Sequence, residues 1–433
     1  MHACNEKSLR YFIAWRLYAF PIAINKRCLA QGKNMTAETQ RAPWLPIWAG
    51  LCASLVGIGL ARFAYTPLVP ALIEAHWFAS SAVVYLGAAN LAGYLVGALA
   101  GRPLARRWSS AAVLRGMMVL VSLAFLACAW PLSVAWFFAW RLLSGVAGGV
   151  IMVLAASAIL PHVAAARRGL ASGAIFLGIG LGIAGAASLV PWLLGQGLQE
   201  TWFGLAALSL LLSLSSWGGW PAEQEHQQGG HAPGPAAVSP AVLVLFGQYA
   251  LMATALVAPM MFLVDYVSRG LGAGTHAGAM IWGLYGLGAI AGPVLYGLLA
   301  DHLGARAGIR WVLLAQLAAL AVLLGSHDLR LLGAAALLIG SFPPGIVPLA
   351  LARVHQLVPG HARQNATWSR ATVSFASFQA IAGYAYSALF AASGGHYGVL
   401  FAVAAGAVVL ALLVDMLASD NQAMSLMANS SAR

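Results

Sequence analysis

Charge is what this 433-residue chain lacks most: only 8% of its residues are Asp, Glu, Lys or Arg. Soluble domains carry about 25%, so a water-exposed globular surface is excluded. A mean hydropathy of +0.82 and 61% hydrophobic residues place the chain in lipid instead. Lysine is scarcer still. Lys7, Lys26 and Lys33 are the whole complement, and beyond Met35 every fixed positive charge is an arginine. That break sets residues 1–34 apart, and a native start is expected at Met35. It would remove six basic residues and Glu6, lowering the net charge from +12 to +7; a native basic tail is the alternative. Cysteine supplies no disulfide framework, because Cys4 and Cys28 fall in this tail and Cys52 and Cys128 inside apolar runs. Carboxylates and histidines are too few and too scattered for a hydrolytic or metal centre, and His226 and His231 share only a polar loop. No cofactor and no metal are expected.

Long apolar runs are what the chain does have. A spanning helix needs roughly 20 apolar residues, and twelve runs qualify, near 46–70, 80–101, 111–130, 134–160, 169–194, 202–220, 241–264, 276–300, 309–325, 331–357, 366–392 and 396–418. They are continuous rather than alternating, which favours helices over a barrel, since each helix satisfies its own backbone. The expectation is an all-α membrane protein of twelve transmembrane helices. Its parts would be a tail (1–43), a six-helix bundle (44–220), a polar linker (221–239), a second six-helix bundle (240–418) and a tail (419–433).

The net charge of +12 does not indicate nucleic acid, because of where it lies. Arg102, Arg106 and Arg107, then Arg167 and Arg168, then Arg306 and Arg310, then Arg353, Arg363 and Arg370 fall on alternate connections; Arg269 and Arg330 are the exceptions. The positive-inside rule then puts both termini in the cytoplasm of a bacterial inner-membrane protein. Its partners would be the bilayer and a small solute, and a monomer is expected.

Gly297-Leu-Leu-Ala-Asp-His-Leu-Gly-Ala-Arg306 reads as a tight hairpin between two runs, with Gly297, Asp301, Gly304 and Arg306 as candidate gating residues. Subtracting 200 returns Gly97, Leu99, Ala100 and Arg106, with Arg102 beside them and Gly101 in place of Asp301, which suggests two copies of one unit. The form Gly-x-Leu-Ala-Asp-x-x-Gly-x-Arg resembles the signature loop of the major facilitator superfamily. The first run ends in Gly57-Ile-Gly-Leu-Ala-Arg-Phe-Ala-Tyr-Thr-Pro-Leu-Val-Pro70, which resembles the first helix of the YbfB/YjiJ family. The resemblance covers roughly residues 44–418.

An arginine inside a spanning helix costs about 2.5 to 3.5 kcal/mol on insertion scales, so Arg62 is expected to face an aqueous cavity or a partner. Arg141 opens Arg-Leu-Leu-Ser-Gly in the fourth run, with Ser144 where the superfamily pattern has glutamine; it either enters the cavity or snorkels. The resemblance implies that the first and fourth helices of each half line a central cavity. That gathers Arg62, Tyr65, Arg141, Gln248, Tyr249 and a break at Pro343-Pro344 as candidate substrate-binding residues. The break aligns with Arg141–Gly145 at the same offset of 200, and paired interruptions point to a midplane site. Two guanidinium groups favour an anion. Asp265 is the best placed carboxylate for a coupling proton, although Arg269 one turn on offers it an ion pair. In the second hairpin, Asp301 is expected to meet Arg306 or a helix amino end as a gate contact. Gly180, Gly182 and Gly185 match a dinucleotide fingerprint by spacing alone; no strand precedes them, and close packing or a flexible rocker is expected.

The resulting expectation is a secondary active transporter working by alternating access on a small organic anion. Proton-coupled efflux of drugs or metabolites is the same-class alternative. A transporter-like sensor and a membrane-embedded enzyme are the alternatives from other classes.

Overall fold

The computed structural model describes residues 44–163, 168–221 and 239–431, with side chains omitted at 168–170, 361, 362, 365 and from 417 onward. The proposed start at Met35, most of the linker with His226 and His231, and Arg167 lie outside the described residues. Twelve long helical spans follow one another: α1 Trp44–Glu74, α2 Ser80–Arg107, α3 Ser110–Cys128, α4 Val134–Ile159, α5 Arg168–Leu194 and α6 Leu198–Ser215. The second set is α7 Pro240–Asp265, α8 Gly274–Leu303, α9 Ala305–Gly325, α10 Leu329–Leu357, α11 His361–Ala392 and α12 Tyr397–Ser431. No strand occurs among the described residues. Among the described residues, eleven spans are long and apolar enough to cross a membrane. The exception is α11, whose first half carries Arg363, Gln364, Thr367, Arg370, Thr372 and Ser374. At the other end, α12 continues to Ser431 through the stretch expected as a tail.

Local chemistry sets several boundaries. Ser109 and Ser133 accept from the N–H groups of Ala112 and Trp136 at 3.2 and 3.1 Å, and Asp328 accepts from Arg330 at 2.8 Å. These side-chain caps start α3, α4 and α10 by satisfying amide groups that have no helical partner. Between α8 and α9 the chain reverses on Gly304 alone, at a φ of +81° that a side chain would strain.

The order of packing repeats. Within the first six helices α2 packs on α4, and within the second α8 packs on α10. A Cβ added at Gly93, Gly97 or Gly145 would strike the backbone of Leu142, Val146 or Asn90; one added at Gly288, Gly292 or Gly340 would strike Leu337, Ser341 or Tyr285. Each residue of the second set lies 195 positions after its counterpart in the first. The starts of α3 and α9 (Ser110, Ala305) and of α4 and α10 (Val134, Leu329) keep the same spacing. The repeat is therefore real, but its period is 195 rather than 200. The Gly97–Gly297 correspondence and the alignment of Pro343-Pro344 with the Arg141 stretch are both off register. In a chain this rich in Gly, Leu and Ala, short matches arise at many offsets.

The two sets meet along α5 against α8 and α2 against α11. Gly180 lies against Ile290, Gly286 against Ala184, and Gly383 against Leu91 and Ala88. These small residues let helices of opposite sets approach closely where lipid offers no hydrophobic drive. One core draws only on residues between 49 and 220; the other joins residues 245–412 to Ile58, Phe63, Val84, Leu91, Ile179 and Ile183.

Candidate functional site

The site is organised by a defect in α1. Regular helix runs from Trp44 to Ser54, widens to a π segment over Leu55–Leu60, resumes for Ala61–Phe63 and turns again before Leu68–Glu74. Gly59 contributes by letting α1 lie against Gly182 of α5, 2.9 Å from where its Cβ would stand. Pro67 and Pro70, lacking N–H groups, withhold a helical donor from the carbonyls of Phe63 and Thr66. The carbonyl of Ala61 is captured from another helix: Arg141 Nη1 donates to it at 2.7 Å and Asn90 Nδ2 at 3.5 Å. Asn90 also donates to Ser144 Oγ at 2.9 Å and to the Arg141 carbonyl at 3.4 Å, which ties α2, α4 and α1 together. Side chains that re-satisfy a freed carbonyl are what make such a break tolerable at membrane depth.

Arg141 is thus held inside the protein, 2% exposed, and does not snorkel. Its guanidinium carbon stands 4.2 Å from the centre of the Tyr65 ring, while its Nε has no hydrogen-bond partner. The Tyr65 hydroxyl donates to the Val83 carbonyl at 2.7 Å. Arg62 lies one residue past the captured carbonyl. Its guanidinium carbon is 5.2 Å from the centre of the Tyr94 ring and 5.5 Å from that of Phe63. The Arg62 Nε and Nη2 atoms are both buried without a hydrogen-bond partner. Among the described residues neither arginine has an acidic partner.

Arg62, Tyr65 and Arg141 line one cavity, closed from the other set of helices by Met260 and Met261 of α7. It measures about 20 Å³, room for a single water. Thr66 Oγ1 closes its wall by donating to the Met260 carbonyl at 2.9 Å. Gln248 and Tyr249 are elsewhere: they line a smaller cavity, about 10 Å³, with Leu245, Met252, Ile346 and Leu349. Gln248 Nε2 donates to the Ala411 carbonyl at 3.4 Å, and the Tyr249 ring packs 4.5 Å from that of Phe375.

Two expectations need correction. Helix α10 is not interrupted at Pro343-Pro344: it runs unbroken from Leu329 to Leu357 with three prolines inside, and neither Pro343 nor Pro344 lines either cavity. Proline removes a bond and bends a helix without necessarily ending it; here the hydroxyls of Tyr296 and Ser341 pair at 2.7 Å beside the ring pair. Asp301 does not meet Arg306. It is exposed with no ion pair among the described residues, while Arg306 and Arg310 both pair with Asp415 of α12, the former at 3.2 Å. The two hairpin glycines have different settings: Gly97 is wedged against Val146 and Gly297 has open space around it. Arg102 and Arg106 are exposed at the end of α2.

Asp265 is fully buried at the end of α7. Arg269 grips both its oxygens, Nε to Oδ1 at 2.5 Å and Nη2 to Oδ2 at 2.8 Å, and the Tyr397 hydroxyl donates to Oδ2 at 2.6 Å. Sequence reasoning missed Asp415, although a lone carboxylate within the last apolar run was a signal for it. It also missed Tyr285 and Trp282, which no motif marks. Cys52 and Cys128 are buried and free.

With the geometry in hand, comparisons place the chain. A family model described as "Uncharacterised MFS-type transporter YbfB" matches residues 54–416. No curated protein matches the sequence. Among solved structures, the chain is similar to a D-xylose-proton symporter at 13% identity and TM-score 0.66, over 86% of this chain and 96% of that one. It is similar also to the nucleoside transporter NupG at 14% identity and TM-score 0.68, over 86% and 98%. At such identities these two likenesses speak for the fold. The family match spans most of the sequence and all twelve spans in whole or part, and the chain belongs to the YbfB-type transporters of the major facilitator superfamily.

Proposed function

We propose that the protein carries a small organic anion across the bacterial inner membrane by alternating access, as a monomer with both termini in the cytoplasm. One observation carries the reading: Arg62 and Arg141 line a single cavity between the two sets of helices, and no described acid pairs with either. An uncompensated buried charge costs several kcal/mol; an anion that arrives between the two guanidinium groups offsets that cost and supplies the binding energy.

The contacts between the two sets support a rocking motion. The hydrogen bond Thr66–Met260, the ring pairs Phe63–Trp282 and Tyr85–Tyr384, and the glycine crossings at Gly87, Gly286 and Gly383 lie at mid-depth or towards the ends of α1 and α2 remote from the arginine-rich hairpins. With cytoplasmic hairpins, this is a carrier closed on its outer side. Asp265 is the carboxylate proposed for a coupling proton: protonation would release the Arg269 fork at the outer end of α7. Comparing metabolites inside and outside cells that lack or overproduce the protein tests the reading. An anion should change sides with expression, and an uncharged or cationic solute doing so would contradict it.

A further inference from the structure

The Asp265–Arg269 pair shows how a guanidinium of this chain holds a carboxylate. Arg269 uses its Nε and Nη2 edge, one nitrogen to each oxygen. Arg62 presents that same edge buried and unpartnered. Two parallel donors fit two coplanar oxygens of one carboxylate. Arg141 is held more tightly, with Nη1 donating to the Ala61 carbonyl and its guanidinium carbon 4.2 Å from the centre of the Tyr65 ring, so Arg62 is the freer of the two.

The remaining walls describe the rest of the solute. Apart from the arginines, the polar side chains lining the cavity are Tyr65 and Thr66, and both hydroxyls already donate, to Val83 and Met260. A sugar or nucleoside would set most of its hydroxyls against a wall of Val69, Val84, Leu91 and Met260, which offers them no side-chain partner. Around Arg62 itself the neighbours are the rings of Phe63 and Tyr94; on α8, Tyr285 stacks on Trp282 with centroids 4.5 Å apart and planes at 20°. Trp282 in turn lies 6.3 Å from Phe63. The Tyr285 hydroxyl and Trp282 Nε1 are both buried without partners. Phe63 and Tyr94 flank the guanidinium and Trp282 meets Phe63 from the other set, so parting the sets would open a ring-lined space beside an unpaired fork.

We infer that the substrate is a carboxylate on an aromatic or compact apolar body, its carboxylate gripped side-on by Arg62 and its body received by the rings of Phe63, Tyr94, Trp282 and Tyr285. This rests on the anion reading above and narrows it. In the free carrier the rings occupy the place of the body, and binding exchanges one set of ring contacts for another.

The test is equilibrium binding of radiolabelled benzoate to the purified full chain in nanodiscs, with unlabelled competitors. Benzoate should bind saturably and be displaced by cyclohexanecarboxylate but poorly by benzamide, succinate, inorganic phosphate or xylose. Arg62→Lys, which keeps the charge and loses the fork, should weaken binding about tenfold or more. Trp282→Leu should weaken benzoate more than acetate. Displacement by succinate or phosphate as effective as by cyclohexanecarboxylate would overturn the inference and leave the anion reading standing. Equal displacement by benzamide would overturn both, because the charge would then go unread. Unchanged affinity in Arg62→Lys would remove the fork. Absence of benzoate binding would overturn the inference, and absence of binding by every anion tested would take the broader reading with it.

Discussion

Replacing Thr66 by valine removes a hydrogen bond between the two sets of helices and little else. The side chain is 5% exposed, and its Oγ1 donates to the Met260 carbonyl at 2.9 Å across the α1–α7 contact. Valine keeps the shape, and the Met260 carbonyl retains its place within α7. A buried hydrogen bond of this kind contributes about 1 kcal/mol net. If the bond exists only while the outer side is closed, its loss shifts the ratio of closed to open by roughly fivefold. The readout is alkylation of a thiol at Val84→Cys, which lines the cavity and is 3% exposed, in a background without Cys4, Cys28, Cys52 and Cys128. When opening and closing are fast, the labelling rate follows the open population. The expected result is labelling from the outside about fivefold faster than in the Thr66 parent. An unchanged or slower rate would mean that the Thr66–Met260 contact does not hold the outer side shut, and the assignment of the closed side would fail.

Other perturbations separate packing from function. Gly145→Ala drives a Cβ into the Asn90 carbonyl and Gly340→Ala into that of Tyr285, so each should cost about 1 to 3 kcal/mol or more and lower the melting temperature in detergent. Gly116→Ala, with open space around it, should leave the melting temperature unchanged or raised. Asp415→Asn removes the carboxylate that pairs with Arg306 and Arg310 and should lower the melting temperature, whereas Asp301→Asn should change neither melting nor transport. Asp265→Asn should abolish dependence of uptake on a pH gradient while leaving substrate counterflow; retained dependence would remove Asp265 from coupling.

Much of the fold was legible because lipid imposes one rule on every span. The run predicted at 134–160 is the helix Val134–Ile159, and that at 331–357 is Leu329–Leu357. Helix α11 was legible as the run at 366–392, although its Arg and Gln residues dilute the apolar signal. The period of the repeat was misread because signature glycines recur by chance in such a composition. The true register of 195 emerges from which backbones touch, at Gly93 and Gly288 for example. Prolines misled for a related reason: Pro343-Pro344 looks like a helix stop, but a helix buried among others keeps its course when neighbours share the strain. At the site, an arginine in lipid was a sufficient signal for Arg62 and Arg141. Their unequal states were not readable. That Arg141 mends a broken α1 at Ala61, while Arg62 keeps a free edge, depends on three helices meeting, which no spacing within one run can express.

The most direct measurement is flux in proteoliposomes of the solute identified from cells, compared between the parent carrier and Arg62→Gln at matched reconstitution. The account predicts a solute bearing a negative charge, carried by the parent and lost with the guanidinium. A neutral or cationic solute, or equal flux through Arg62→Gln, would contradict it.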